Sequence, residues 1–126
     1  AIWDIDFFKR VNDSYGHQAG DRLLAAVARL LSDSTRVEDF VARLGGEEFV
    51  VLFPATDLAA ARPLVERLRE KIAAAKFHFR GSPLPVTVSC GLTEFRAGDT
   101  PTAVYERADK ALYEAKSAGR NRCAEA

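Results

Sequence analysis

Gly45-Gly46 restricts the fold more than any other pair in the chain. It stands between the runs 40–44 and 48–53, both dominated by apolar and β-branched residues. Tight hairpin turns need φ > 0, which glycine adopts without steric cost, so this stretch reads as two antiparallel strands and a turn. Glu47 and Glu48 follow the glycines at once. The hairpin explains the glycines and leaves the two carboxylates unexplained.

The elements around the hairpin set the fold class. Residues 1–5 read as the end of a strand and 6–14 as a short helix broken by Tyr15-Gly16-His17. Asp21 opens a second helix, whose Leu23, Leu24, Val27, Leu30 and Leu31 recur at helical spacing. Thr56-Asp57 caps a third helix running to about residue 75, with Pro63 set to kink or restart it. Gly81-Ser82-Pro83 reads as a loop, 85–90 as a strand, and Thr100-Pro101 as the start of a helix to about Ser117. Gly119 fits just past its end, and 120–123 adds a short strand. Interspersed helices and a mid-chain hairpin predict an α+β sandwich: a mixed or antiparallel sheet of about five strands with helices packed around it.

With 126 residues the chain suits one domain. Eighteen basic residues balance eighteen acidic ones, so no bulk charge attracts a nucleic-acid polymer or a membrane surface. Any anion site must be local. Cys90 and Cys123 lie far apart in no metal-like spacing, which predicts one buried thiol and one near a frayed end. No apolar run approaches the ~20 residues of a membrane span, and no signal peptide is visible. The domain is read as cytoplasmic, without direct membrane contact.

Acidic residues gather at the predicted strand ends. Asp4 and Asp6 lie two apart, and Glu47 and Glu48 sit at the hairpin. If the first strand neighbours the hairpin, Asp4 and Glu47 converge on one sheet edge. Converging carboxylates repel unless a cation joins them, and Mg²⁺ takes one or two carboxylates with water and substrate phosphates. Solvated strand-end charges are the competing explanation. For Asp6 the better reading is a helix cap.

Gly45-Gly46-Glu47-Glu48-Phe49 resembles the signature of GGDEF-domain diguanylate cyclases in its GGEEF form. Asp4-Ile5-Asp6-Phe7-Phe8-Lys9-Arg10-Val11-Asn12-Asp13 followed by Tyr15-Gly16-His17 is similar to the family's DIDxFKxxND-x-(Y/F)GH segment, and Gly20-Asp21 with Leu23-Leu24 continues it. Ser89-x-Gly91 resembles the late strand. Ala108-Asp109, Ala111-Leu112-Tyr113, Ala115-Lys116 and Gly119-Arg120-Asn121 resemble the last helix and its following loop. The likeness spans nearly the whole chain with spacing retained. It implies a ferredoxin-like, nucleotidyl-cyclase palm-like fold that condenses two GTP into cyclic di-GMP and two pyrophosphates across a two-fold homodimer.

The roles that follow are what the resemblance implies. Asp4, Glu47 and the Ile5 carbonyl hold Mg²⁺ (or Mn²⁺), two ions per active site. Glu48 holds the second ion or deprotonates the attacking hydroxyl. Backbone N–H groups of Phe7, Phe8 and Lys9 at a helix start receive phosphate, with both phenyl rings in the core. Lys116 and Arg120 reach the outer phosphates. Asn12 and Asp21 read guanine, Asp21 also capping its helix, and Gly45-Gly46 lets the nucleotide lie against the backbone. Arg36 and Asp39, with Arg67 on the next helix, form an RxxD site for inhibition by product; a plain surface ion pair is the alternative. The family begins earlier, with a helix and a D-x-L-T-type segment, whereas only three residues precede Asp4 here. The expectation is a single domain over 1–126 that lacks this helix and the start of its first strand. An upstream sensor or receiver, in a larger and membrane-anchored protein where the sensor demands it, controls dimerisation. The alternative function is a catalytically silent module that binds GTP or cyclic di-GMP.

Overall fold

The computed structural model describes residues 1–126. Its centre is β1 (Ile2–Ile5), buried at all four positions. A strand with no solvated face belongs inside a sheet. The other elements are α1 (Phe8–Tyr15), α2 (His17–Ser34), β2 (Phe40–Gly45), β3 (Glu48–Leu52), α3 (Leu58–Ala74), β4 (Phe77–Phe79), β5 (Ser82–Leu84), β6 (Val88–Leu92), α4 (Pro101–Ser117) and β7 (Cys123–Glu125). The main sheet runs β2-β3-β1-β6-β7, and β4-β5 form a separate ribbon. β1 is antiparallel to β3 and β6, while β6 and β7 are parallel. The sheet is therefore mixed and five-stranded, an α+β architecture as the pattern implied.

Side chains alternate across β1 with period two and divide the core. Trp3 and Ile5 face a large apolar layer built with Leu23, Val27 and Leu31 of α2 and Val65, Leu68 and Ile72 of α3. Ile2 faces the other way, against Ala108 and Leu112 of α4. Each buried aliphatic side chain contributes roughly 1.5–3 kcal/mol, so the α2–α3 side supplies most of the stability. The opposite side carries α4 and, beyond its reach, the open faces of β2 and β3.

Gly91 decides how closely α4 approaches. A methyl group on it would collide with the Ala108 carbonyl and the Leu112 backbone N–H. The helix thus lies against the bare backbone of β6. Gly91→Val must lift α4 or bend β6, and an overpacked site of this kind costs about 1–3 kcal/mol. The expected result is a fall of several degrees in Tm, read by circular dichroism. An unchanged Tm would mean that α4 is not seated there.

Local details correct several expectations. The turn at Arg80-Gly81 joins two strands, and Ser82 and Pro83, expected in a loop, belong to β5 of the β4–β5 hairpin. The strand expected at 85–90 lies at Val88–Leu92, because Pro85 lacks the N–H that a ladder requires. Asp21 does not cap α2. The helix starts at His17, directly after Gly16 at φ 90°, and Asp21 lies inside it. Pro63 sits within a continuous α3 whose N-cap is Asp57, accepting from the Ala60 N–H at 2.8 Å. Cys123 is buried beside Cys90 across the β6–β7 ladder, not in a frayed end. Burial and the neighbouring Cys123 thiol push the Cys90 thiol well above its ordinary range. No helix is long and apolar enough to cross a membrane.

Candidate active site

The hairpin and β1 bring two carboxylates side by side. Asp4 is the cross-strand partner of Glu48 on β3 and of Ser89 on β6. Directly opposed side chains in an antiparallel pair stand about 5 Å apart at Cβ, so Asp4 and Glu48 share one face. The turn itself is Gly46-Glu47, with Gly45 ending β2 and Glu48 beginning β3. Gly45 and Gly46 have φ of 145° and 52°, and nothing lies within 4 Å of where their side chains would be. The backbone there is bare and open. The Glu47 carbonyl accepts from the Ile5 N–H at 3.4 Å, which ties the turn to the end of β1.

Both carboxylates are held by α4. Lys116 Nζ donates to Asp4 Oδ2 at 2.7 Å, and the Tyr105 hydroxyl donates to Glu48 Oε1 at 2.8 Å. The bond to Glu48, with burial adding to it, pushes the Tyr105 phenol up to about 12. No set of three or more His, Cys, Asp or Glu side chains is grouped tightly enough to hold a metal ion. The acidic constellation is therefore a neighbouring pair, Asp4 and Glu48, with Glu47 in the adjacent turn.

Asp6 is not a helix cap. Its buried carboxylate accepts from the Thr87 hydroxyl at 2.7 Å, the Ser89 hydroxyl at 2.7 Å and the Asn121 N–H at 2.9 Å. Arg120 Nη1 stands 3.9 Å away. The cap position of α1 belongs to Phe7, which is left-handed at φ 57° and makes no side-chain cap bond. A side-chain cap needs an extended backbone at that position, and Phe7 does not supply it. Asp6 instead clamps β1, β6 and the 119–121 turn together.

The two phenylalanines divide. Phe8 packs in the core at 8% exposure, whereas Phe7 is 47% exposed, against the expectation that both are core. The Phe7 ring lies beneath two guanidinium groups, Arg10 at 4.1 Å and Arg120 at 4.8 Å. A bulky residue at positive φ is strained backbone, and Phe7 holds it at the N-cap of α1. Lys9 is exposed beside it.

Asn12 lies against Gly20, the chain neighbour of Asp21. Asn12 packs on that glycine, where any side chain would overlap it, and its buried Oδ1 has no partner. Asp21, the next residue, lines a cleft of about 350 Å³ between α2 and β2, with Leu24, Val41 and Phe49 at its apolar wall. Arg36 and Asp39 follow the end of α2 and line a neighbouring cleft that shares Ser32 and Val41 with this one. Arg36 reaches Asp39 through Nη2 at 3.0 Å and Nε at 3.1 Å, and Thr56 Oγ1 at 2.8 Å. The Asp39 side chain is 1% exposed. Its hydrogen bond raises the Arg36 guanidinium above its usual range. Arg67 is exposed on α3 and takes no part in that pair.

Residues 1–122 match the family described as "Diguanylate cyclase, GGDEF domain". The chain belongs to the GGDEF domain family. Among similar proteins, the diguanylate cyclase DgcP of Pseudomonas aeruginosa is 57% identical over 122 residues, covering 97% of this chain and 18% of DgcP. The diguanylate cyclase SiaD of Pseudomonas aeruginosa, solved with its activator SiaC, superposes with a TM-score of 0.96 at 43% identity over 99% of this chain and 48% of that one. The coiled coil and GGDEF domain of DgcB from Caulobacter crescentus, solved in complex with c-di-GMP, gives 0.94 at 35% identity over 99% of this chain and 67% of that one.

Within this GGDEF domain the structure adds residues that the sequence did not single out. Tyr105 carried no signal, because a tyrosine on an exposed helical position looks like any other. Thr87 and Arg10 were equally silent. Ser89 stood in the Ser89-x-Gly91 motif, but its bond to Asp6 followed only from the β1–β6 register.

Proposed function

We propose that this GGDEF domain is a diguanylate cyclase, joining two GTP into cyclic di-GMP and releasing two pyrophosphates. The observation that carries the reading is the side-by-side placement of Asp4 and Glu48 beside the open Gly45-Gly46 turn. In each half-reaction a 3′-oxygen attacks the α-phosphorus of the facing GTP. The O3′–P bond forms, the bond to pyrophosphate breaks, and the hydroxyl proton leaves. Two domains face one another, each holding one GTP, under control of an upstream sensor or receiver.

The donor set suits Mg²⁺ (or Mn²⁺). Two neighbouring carboxylates and no soft ligand match a hard cation that keeps water and phosphate oxygens as its other partners. Asp4, Glu47, Glu48 and the Ile5 carbonyl are the assigned ligands. When bound, the cation acidifies the attacking hydroxyl and offsets charge on the leaving pyrophosphate. Glu48 is assigned either to the second ion or to the hydroxyl proton. N–H groups of Phe7, Phe8 and Lys9 at the start of α1 receive phosphate oxygens, and Lys116 and Arg120 answer the outer charges. Asn12 supplies a hydrogen-bonding group with an unpartnered oxygen, and the Asp21 carboxylate accepts from guanine N1–H and its amino group. Adenine offers no such donor pair.

The test is direct. The chain, concentrated or fused to a dimerising module, is incubated with GTP and Mg²⁺ and assayed for cyclic di-GMP and pyrophosphate. GTP binding without product in the dimer would sink catalysis and leave a silent binding module.

The Arg36–Asp39 pair is assigned to inhibition by product. Free, the two satisfy one another; a guanine edge must open them, with Arg36 on the base and Arg67 as a further donor. Arg36→Ala is expected to raise the cyclic di-GMP concentration for half-inhibition at least about tenfold, the loss of a charge-assisted contact of 1.5–3 kcal/mol. Unchanged inhibition removes Arg36 from the site.

A further inference from the structure

Asp4 and Asp6 leave the same end of β1 and are partnered in opposite ways. Asp6 is locked by three donors with fixed positions, two hydroxyls and a backbone N–H. Asp4 has one donor, the ammonium of Lys116. That ammonium ends a long, flexible stem, and the side chains of Lys116 and Asp4 are 28% and 11% exposed. The stem is anchored well, because α4 lies on the backbone of β6 at Gly91. Its tip is free to swing.

We infer that Lys116 is the resting counter-ion of the Asp4–Glu48 carboxylate pair, so that a divalent cation and a triphosphate bind as a unit and the cation alone binds poorly. This rests on the reading above that Asp4 is a metal ligand. The ammonium occupies Asp4 Oδ2 at hydrogen-bond distance. A divalent cation on the same carboxylate would stand against it with like charge in a partly buried place, where repulsion is little screened. A cation arriving alone must displace Lys116 from that carboxylate into water. A triphosphate arriving with the cation provides the receiving charge within the sweep of the lysine stem. Each ligand then raises the affinity of the other by the same factor. Lys116 acts here as a positioning and gating residue, in addition to any contact with phosphate. In the free domain Lys116 offsets one of the two carboxylate charges, and metal without nucleotide is kept out.

The experiment measures Mn²⁺ binding to the chain by titration calorimetry, without nucleotide and then with a non-hydrolysable GTP analogue. For the parent chain, Mn²⁺ alone is expected to bind at least about tenfold more weakly than with the analogue, and no coupling between the two overturns the inference. Lys116→Met removes the ammonium and keeps the stem. It is expected to bind Mn²⁺ alone about tenfold more tightly than the parent, with coupling reduced towards one. Binding that is unchanged or weaker, with the variant folded, overturns the inference. Lys116→Arg keeps the charge and should remain weak towards Mn²⁺ alone. Adding Asp4→Asn to Lys116→Met must abolish the gain; a gain that survives places the ion elsewhere and also overturns it. None of these readings needs turnover. A chain that makes no cyclic di-GMP but shows the gain refutes the cyclase reading alone, and a cyclase without the gain refutes this inference alone.

Discussion

Glu48→Gln is expected to cut cyclic di-GMP formation by about 10²–10⁴-fold, the usual worth of a positioned proton acceptor. Glutamine keeps the shape and an amide oxygen that accepts from Tyr105, so the 2.8 Å contact survives in kind. Its charge and its basicity are lost. The substitution lies at the half-buried start of β3, beside Tyr105 of α4 and outside the buried apolar clusters. Stability should therefore move by no more than about 0.5 kcal/mol, the range for surface changes away from the core. The measurement pairs a product assay with a thermal melt. A variant that stays folded and keeps more than about a tenth of the parent rate shows that Glu48 is not needed for proton removal or for the cation, and the assignment falls.

Asp6→Ala is expected to cost more stability than any other single change at this end of the sheet, about 3–5 kcal/mol. The carboxylate accepts three hydrogen bonds from Thr87, Ser89 and Asn121. Ser89 is fully buried, so its hydroxyl has no water to turn to. Each donor left unsatisfied costs about 1–3 kcal/mol, and charged acceptors sit at the high end. The loss also frees the 119–121 turn, where Arg120 and Asn121 hold positive φ of 65° and 46°. Lys116 lies just before that turn and Arg120 within it, so activity should fall with stability. Urea unfolding gives the cost directly. A change under about 1 kcal/mol would show that the clamp is dispensable and that Asp6 is only an anion near a helix.

The contrast between these two carboxylates measures how far the sequence could be read. Glu48 was legible as a candidate because it stands in a five-residue signature, but the sequence set Glu47 against Asp4, and only the β1–β3 register puts Glu48 there. Asp6 was misread. Its neighbours in the chain form a short helix, and an aspartate just before a helix is usually a cap. Its real partners are 81, 83 and 115 positions away, and no local pattern announces them. Phe7 failed for a related reason: two adjacent phenylalanines look alike, but a left-handed backbone at the first sends it to solvent and the second inward. Asp21 was placed on the right helix in the wrong position, because the helix resumes immediately after Gly16 instead of waiting for the aspartate.

The sequence by itself determined the types of the long helices and main-sheet strands, the Gly45-Gly46 hairpin and the family, but not the β4–β5 ribbon. Those depend on short-range physics: apolar residues repeat at 2 or 3.6 positions, glycine takes positive φ, and proline ends ladders. Only the tertiary structure decided which side chain answers which carboxylate. Lys116 reaches Asp4 across 112 positions, and Tyr105 reaches Glu48 across 57. Both contacts exist because Gly91 lets α4 rest on β6. Such pairings depend on strand register and on how closely a helix approaches a sheet. Both quantities are set by the packing of the whole core, and no segment carries them alone.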